Sequence, residues 1–294
     1  MSMRKLFDGD IEGYFNDNAD FDKAFWFFVH IPKTAGSSFR SELAGALKPN
    51  ANITLNYAVD GDDFENWRKG AVRRFITEHE SKKHRFASGH IMNSLLADVR
   101  AVEPNMRSVT MLRHPVERLI SDFRYARTPT HPPYQDFIKR YPTIHDYIAA
   151  PESADKMSVF LETSANQPAK ELIAELETSF SFVGLTEMYP LTRRTLFSLL
   201  GINAGPVERK RKTENTADNQ VDVTPELKEQ IIKANPRDMA LYRHFRAGWV
   251  KQREALLDCL KQRSSQNAKA AAMARKRTIA APSRQAKPLR TPGV

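Results

Sequence analysis

The sequence of 294 residues contains a single cysteine, Cys259, so no disulfide can form within the chain. Chains without disulfides are typical of reducing compartments. The apolar run at residues 25–29 is far too short to cross a bilayer. The first residues turn acidic before any apolar stretch begins, unlike a signal peptide. We therefore expect a cytoplasmic protein without a transmembrane segment.

Basic residues are distributed unevenly along the chain. The formal net charge is +10, yet the segment from residue 262 to the end carries eight basic residues and no acidic one, which leaves +2 for the rest. This segment is also poor in large apolar residues, a composition that predicts disorder. We therefore expect a disordered basic tail at residues 262–294, and no specific nucleic-acid partner for the folded part.

Two common functional patterns are missing. No group of histidines, cysteines and carboxylates has the spacing of metal ligands, so we expect no bound metal. The Walker A pattern, G-x-x-x-x-G-K-[ST], is also absent. In its place Lys33 directly follows Pro32, and only one glycine, Gly36, comes after it within the loop. This order disfavours an ATPase or kinase of the Walker A type.

The chain does contain a strand, a loop and a helix in immediate succession at residues 25–47. The apolar run is followed by a polar loop and then by apolar residues spaced four apart, as in an amphipathic helix. Loop N–H groups and the N-terminus of the helix favour bound anions. An ordinary strand-to-helix turn is the alternative that this stretch alone leaves open. The candidate anion-binding residues are Lys33, Thr34, Ala35, Gly36, Ser37 and Ser38.

Strand and helix patterns alternate over most of the chain, which predicts an α/β fold with a mainly parallel central sheet flanked by helices. We expect an irregular lead-in at residues 1–23, one domain at 24–261 and a long functional loop at 128–142. Further strands are predicted at residues 53–57, 85–88, 108–112 and 180–185.

Two of these strands end at residues suited to chemistry. Gly89 and His90 follow the strand at 85–88, and Arg113 follows the strand at 108–112. A helix pattern then places Ser121 two turns further on. Ligands of open α/β sheets bind at the carboxyl ends of the strands. We therefore expect Lys33, His90 and Arg113 to meet at one edge of the sheet.

Several segments together resemble the sulfotransferases that use 3′-phosphoadenosine 5′-phosphosulfate (PAPS). The loop IPKTAGSSF is similar to their 5′-phosphosulfate loop, and LRHPVERLISDFRY to their 3′-phosphate segment. The resemblance covers residues 25–250 and is nearest to the uronyl and heparan-type 2-O-sulfotransferases and their bacterial relatives. The other matching segments are Gly89-His90, Phe182–Glu187 and Arg211–Thr213.

This resemblance implies a P-loop-kinase-like sulfotransferase fold and transfer of a sulfuryl group from PAPS to a hydroxyl, without a metal. It implies a carbohydrate-type acceptor, a glycan or glycolipid. The relatives of this branch act in the Golgi, so a chain without an anchor suggests a bacterial cytoplasmic enzyme. The residues expected to hold PAPS are Lys33, Thr34, Ala35, Gly36, Ser37, Ser38, Arg113, Ser121, Arg211, Lys212 and Thr213.

The resemblance also suggests the catalytic pair. Lys33 is expected to stabilise the leaving group, and His90 to take the proton of the acceptor, since histidine titrates near pH ~6.5. The branch often has H-G-H here, whereas Ser88 replaces the first histidine. Glu42 is the rival base, because other sulfotransferases use a glutamate in the helix after the loop.

Two other functions remain open at this point. One is a nucleotide-dependent kinase on a related fold, and the other is a non-catalytic module that binds nucleotides or glycans. The sequence does not determine the oligomeric state.

Overall fold

The computed structural model describes residues 3–18, 23–54, 64–131, 133–202, 216 and 219–280. Its centre is a parallel sheet of five strands in the order β2-β3-β1-β4-β5. The prediction of an α/β fold with a mainly parallel sheet is thus confirmed. The strands are β1 (Trp26–Val29), β2 (Asn50–Ile53), β3 (Phe86–Gly89), β4 (Arg107–Leu112) and β5 (Phe180–Leu185).

Burial differs between the strands of the sheet. Every residue of β1, β3, β4 and β5 is buried, as expected where helices cover both faces of a parallel sheet. The strand β2 lies at one edge and is mostly exposed. It ends at Ile53, at the start of the strand predicted at 53–57, and residues 55–57 of that prediction lie outside the described residues.

Within the described residues, fourteen α-helices flank the sheet or extend beyond it. Three short 3₁₀ helices lie at Asn93–Leu96, Pro151–Ser153 and Thr186–Met188. The α-helices are α1 (Met3–Asp8), α2 (Ile11–Asn16), α3 (Gly36–Ala46), α4 (Phe64–Lys82), α5 (Ala97–Val102), α6 (Pro115–Ala126), α7 (Tyr134–Arg140), α8 (Ile144–Ala149), α9 (Lys156–Leu161), α10 (Ala169–Ser179), α11 (Tyr189–Leu199), α12 (Pro225–Ala234), α13 (Pro236–Lys251) and α14 (Arg253–Ala280).

The expectation of an irregular lead-in at residues 1–23 is wrong. The helices α1 and α2 occupy much of it, and their apolar residues recur at the helical spacing of three and four and join the main core. Asp10 caps α2 by accepting a hydrogen bond from the Gly13 amide at 2.9 Å. The buried Tyr14 hydroxyl donates to the Ser181 carbonyl of β5 at 2.7 Å, which ties this segment to the sheet.

Two further predictions of loop or tail are also corrected. The stretch 128–142 contains the helix α7, so it is not a continuous loop. The last helix, α14, passes residue 262 and continues to Ala280, where the sequence predicts a disordered tail. Its alanine-rich composition favours helix, because alanine has the highest helix propensity. Residues 281–294 lie outside the described residues.

The end of the folded part is attached to the sheet through α13. The Trp249 indole N–H donates to the Val183 carbonyl of β5 at 2.9 Å, and the side chain is fully buried.

Among the residues that the structure describes, no helix has the length and apolar character needed to cross a bilayer.

Candidate active site

Three strand ends meet at the carboxyl edge of the sheet because β1 pairs with both β3 and β4. The Arg113 guanidinium, just after β4, donates to the Lys33 carbonyl in the loop after β1 at 3.1 Å. The His90 imidazole, just after β3, donates from Nδ1 to the His30 carbonyl at 2.7 Å. The structure therefore brings Lys33, His90 and Arg113 into one site, although they are distant in sequence.

The loop between β1 and α3 has an unusual backbone. Lys33 and Ala35 both lie in the left-handed region, with φ of 68° and 62°. Such conformations cost energy in non-glycine residues and cluster at functional sites. Gly36 then begins α3, and a β carbon there would lie 2.1 Å from the His30 ring. Only glycine therefore fits beside His30 at the start of this helix.

The hydroxyl groups of the loop differ in what they contact. Thr34 is buried and donates to the Ile31 carbonyl at 3.0 Å, so its hydroxyl proton holds the loop together. Ser37 is exposed and Ser38 is half-buried, and both lie in the first turn of α3. Of the three predicted hydroxyl donors, the two serines are therefore the better placed to meet an anion.

The Lys33 ammonium lies 4.0 Å from the centroid of the Tyr125 ring, an arrangement typical of a cation–π contact. Tyr125 lies on α6, one turn after Ser121. The His131 ring is 5.5 Å from the Tyr125 ring, centroid to centroid. Sequence reasoning assigned Tyr125 and His131 no role. Two features of the sequence could have indicated them: Tyr125 follows Ser121 by four residues, and His131 lies in the stretch 128–142.

His90 has a lowered pKa. Part of the ring is exposed to solvent, but burial of the remainder lowers its pKa, and the hydrogen bond to the His30 carbonyl only partly opposes this. The positive charges of Arg68 and Arg40 lower the pKa further, while Asp122 raises it. The imidazole is therefore neutral at neutral pH and has a nitrogen lone pair that can accept a proton.

Arg113 combines burial with nearby carboxylates. Burial lowers its pKa, and Glu117 and Glu187 oppose this effect. Its guanidinium lies 3.8 Å from the Glu117 carboxylate. An arginine remains charged under these conditions, so it offers a fixed cation with a planar set of donors.

The other residues predicted to hold the nucleotide lie further along the chain. Ser121 is half-buried on α6, the helix that follows Arg113. The predicted residues Arg211, Lys212 and Thr213 lie outside the described residues.

Thr186 joins the two segments that the sequence predicts to bind anions. Its hydroxyl lies 3.0 Å from the Thr34 carbonyl oxygen and 3.0 Å from the Leu112 carbonyl oxygen, at the end of β4. One hydroxyl proton is thus shared between the loop after β1 and the last residue before Arg113. Sequence reasoning noted the segment 182–187 but did not predict this contact.

The rival base, Glu42, is engaged elsewhere. Its carboxylate forms an ion pair with Arg193 and accepts a hydrogen bond from the Tyr189 hydroxyl at 3.3 Å. Both partners lie on α11. Burial and the neighbouring Glu42 charge raise the pKa of Tyr189. Glu42 therefore connects α3 to α11 in this structure.

A buried polar cluster supports α6 behind the site. The Asp122 carboxylate accepts hydrogen bonds from Lys156 at 2.8 Å, Tyr147 at 2.9 Å and Arg118 at 3.0 Å. Burial raises the pKa of Asp122, but Lys156 and Arg118 outweigh it and hold the pKa well below its usual range.

Within the part of the chain that the structure describes, no group of three or more metal-ligating residues occurs.

This arrangement defines a class of protein. A parallel α/β sheet with a phosphate-type loop after its central strand and an arginine at the next strand end is suited to a nucleotide-borne anion. The family model "Sulfotransferase family" matches residues 20–245. The chain belongs to this family, so it is an enzyme that transfers a sulfuryl group. The family assignment disfavours the two alternatives, a kinase and a non-catalytic module.

Solved structures and curated sequences add little to the family match. A sulfotransferase from Alicyclobacillus acidocaldarius is 15% identical with a TM-score of 0.43, and the match covers 74% of this chain and 94% of that chain. Mouse sulfotransferase SULT7A1 complexed with PAP is 13% identical with a TM-score of 0.37, and the match covers 83% of this chain and 89% of that chain. The comparison with curated proteins finds no match. The assignment therefore rests on the family match.

Proposed function

We propose that the enzyme transfers the sulfuryl group of PAPS to a hydroxyl of a carbohydrate-type acceptor, a glycan or glycolipid. The main support is that the loop carrying Lys33, the guanidinium of Arg113 and the imidazole of His90 converge at one edge of the sheet. Two contacts carry it: Arg113 with the Lys33 carbonyl at 3.1 Å and His90 with the His30 carbonyl at 2.7 Å. We keep the cytoplasm as the proposed compartment.

The residues present suit the two charged ends of PAPS. The loop 33–38 offers backbone N–H groups at the N-terminus of α3, which favour the 5′-phosphosulfate. Arg113 and Ser121 lie on the segment that resembles the 3′-phosphate site. Arg211, Lys212 and Thr213 remain in the proposal as residues that close over the nucleotide.

The proposed reaction is an in-line displacement at sulfur. The acceptor oxygen forms a bond to sulfur while the bond from sulfur to the bridging oxygen of the phosphosulfate breaks. The acceptor proton passes to Nε2 of His90, and Lys33 stabilises the negative charge that develops on the leaving phosphate. The products are the sulfated acceptor and adenosine 3′,5′-bisphosphate. No metal enters the reaction.

The carbohydrate acceptor is proposed from the resemblance to the uronyl and heparan-type branch, which the family match does not distinguish from other branches. The Tyr125 ring lies beside Lys33 and the His131 ring lies beside Tyr125, and both offer flat surfaces against which a sugar ring can pack.

The test of the proposal is transfer of radiolabelled sulfate from PAPS to fractionated cell glycans and glycolipids. The expected result is label in a carbohydrate fraction together with release of adenosine 3′,5′-bisphosphate. Isothermal titration supplies the contrary outcome: tight ATP binding without affinity for adenosine 3′,5′-bisphosphate would overturn the proposal in favour of a kinase.

Substitution of Lys33 tests the leaving-group role. We expect Lys33→Ala to lower kcat about 10²–10³-fold, the usual loss when one donor to a developing charge is removed. Lys48→Ala is the matched control, since this exposed lysine follows the other end of α3. Equal activity of the two variants would contradict the role of Lys33.

A further inference from the structure

His30, which the proposed reaction does not use, makes two separate contacts with His90. Its backbone carbonyl accepts a hydrogen bond from His90 Nδ1 at 2.7 Å. Its ring also packs against the His90 ring, with centroids 4.3 Å apart and an angle of 34° between the planes. One residue therefore determines both the hydrogen bonding and the position of the candidate base.

The carbonyl contact determines which nitrogen of His90 carries the proton. A carbonyl oxygen can only accept a hydrogen bond, so Nδ1 of His90 must be the donor. In the neutral ring the lone pair is then on Nε2. The structure gives the His90 ring no second hydrogen bond within the described residues. Nε2 is thus the nitrogen available to take the acceptor proton.

The His30 carbonyl is itself held firmly. The His30 amide donates to the Gly89 carbonyl at 3.1 Å, which extends the pairing of β1 with β3 by one residue. The His30 ring stacks on Phe28 of β1, with centroids 5.2 Å apart and planes 18° apart. Its other side lies against Gly36, where a β carbon would come within 2.1 Å. His30 is therefore enclosed by β1, α3 and His90.

The charge state of His30 suits this position. Burial lowers its pKa to about 2, with smaller contributions from His90 and Arg40, so the ring is neutral at working pH. A neutral neighbour does not oppose the positive charge that His90 acquires during turnover. It also does not place a cation at the N-terminus of α3, where the helix dipole is already positive.

We propose that His30 is a positioning residue that holds His90 in the Nδ1–H tautomer with Nε2 directed to the acceptor, an inference that rests on the proposed function of His90. A histidine so held needs no tautomer change before it takes a proton. If the support is lost, the ring populates both tautomers and several orientations, and a displacement of about 1 Å at a reacting group costs about 10²-fold.

The experiment combines imidazole ¹⁵N NMR with steady-state kinetics. In the ¹⁵N-histidine-labelled protein, we expect His90, assigned with His90→Gln, to show a protonated Nδ1 and an unprotonated Nε2. The backbone carbonyl remains in His30→Ala, but the ring that packs His90 against this carbonyl is lost. We therefore expect mixed tautomers and a kcat about 10–100-fold lower, with KM for PAPS within twofold. His30→Phe retains the ring stack and the backbone carbonyl, so it should restore most of kcat and the Nδ1–H tautomer.

His145→Phe is the matched control, because it removes an exposed histidine on α8 and should change neither readout. The proposal is overturned if wild-type His90 carries its proton on Nε2, or if His30→Ala keeps both the tautomer and kcat. The tautomer is read without any substrate. An inactive wild-type enzyme with the expected NMR result would therefore overturn the proposed function while supporting the positioning role of His30.

Discussion

The molecule contains two close histidine pairs, at opposite edges of the same sheet, and they differ in how their nitrogens are used. At the carboxyl edge, His90 makes one hydrogen bond to a carbonyl and remains partly exposed. At the amino edge, His79 and His84 are both buried. The His79 Nε2 bonds to the Glu103 carboxylate at 2.7 Å, and its Nδ1 accepts from the His84 amide at 3.2 Å.

The difference separates a histidine that holds the fold together from one with a nitrogen available for the role proposed for His90. Both nitrogens of His79 are occupied within the protein, so it fixes the approach from α4 to β3. The lone-pair nitrogen of His90 has no such partner among the described residues, and the His90 ring packs against His30, shortly before the loop that carries Lys33. The number of occupied nitrogens, rather than burial alone, separates the two pairs.

The largest predicted effect distinguishes the two histidine pairs: loss of one lowers turnover, and loss of the other lowers stability. We expect His90→Ala to lower kcat about 10²–10⁴-fold, because the proton acceptor is lost, with little change in nucleotide affinity. His79→Ala should instead lower the free energy of unfolding by about 2–4 kcal/mol, because it leaves a cavity and removes a buried hydrogen bond. Kinetics and urea unfolding on both variants measure the contrast.

For this first contrast, activity must be expressed per folded molecule. The interpretation of His90 is wrong if His90→Ala mainly abolishes nucleotide binding. The interpretation of His79 is wrong if folded His79→Ala loses turnover to a similar extent.

The second prediction compares the two ends of one strand. Arg113 follows β4 at the carboxyl edge, and Arg107 begins it at the amino edge. We expect Arg113→Ala to weaken adenosine 3′,5′-bisphosphate binding about 10–100-fold, since a hydrogen bond to a charged group contributes about 1.5–3 kcal/mol. Adenosine 5′-phosphate binding should change far less. Titration calorimetry measures both ligands.

Arg107→Ala is the control for this comparison, because Arg107 is buried at the opposite edge. It should leave both affinities within about twofold. An equal loss for the two nucleotides in Arg113→Ala would contradict the role assigned to the 3′-phosphate contact.

The third prediction concerns acid stability. Burial lowers the pKa of His30 to about 2 and also lowers the pKa of His84. Below pH ~6.5 the unfolded chain therefore binds protons that the folded chain does not. Stability should be full above that pH and fall below it by about 1.4 kcal/mol per pH unit for His30, while His84 adds to the fall until the pH reaches its own lowered pKa.

Urea unfolding at several pH values between 7.5 and 5 measures this slope. His30→Phe and His84→Phe should each make it shallower, because each removes one histidine whose pKa is lowered in the folded state. A slope that neither substitution changes would show that other groups cause the acid sensitivity.

The smallest predicted effect tests the contact between the two anion-binding segments. Thr186→Val removes the hydroxyl near the Thr34 and Leu112 carbonyls while retaining the shape of the side chain. We expect a loss of about 0.5–1.5 kcal/mol in the free energy of unfolding and a modest rise in KM for PAPS. Thr178→Val is a suitable control, because this exposed threonine bonds only within α10.

The parts of the fold that were predictable are those with local signals. The β5 strand occupies the predicted residues, β1 and β4 differ from prediction by one residue at one end, and β3 is shifted by one residue. Each is a short apolar run followed by a break in the pattern. The meeting of Lys33, His90 and Arg113 also followed from the sequence, because parallel strands place their carboxyl ends at one edge.

The unpredicted parts depend on contacts between distant segments. The importance of His30 follows from the register of β1 with β3 and from the missing β carbon at Gly36, which no local pattern reveals. Thr186 is similar, since one partner lies in the loop after β1 and the other at the end of β4. The helices α1 and α2 are different: their spacing was readable, but their stability depends on packing against β5 and α13.

The strand order has a consequence for how the protein is made. Within the described sheet, β1 pairs only with β3 and β4. When β1 and the loop that carries Lys33 leave the ribosome, both of these neighbouring strands are therefore still missing. The edge that holds Lys33, His90 and Arg113 takes shape only after translation has passed Leu112 and that segment has emerged. A nascent chain arrested earlier would expose the apolar β1 strand, and chaperones recognise such segments.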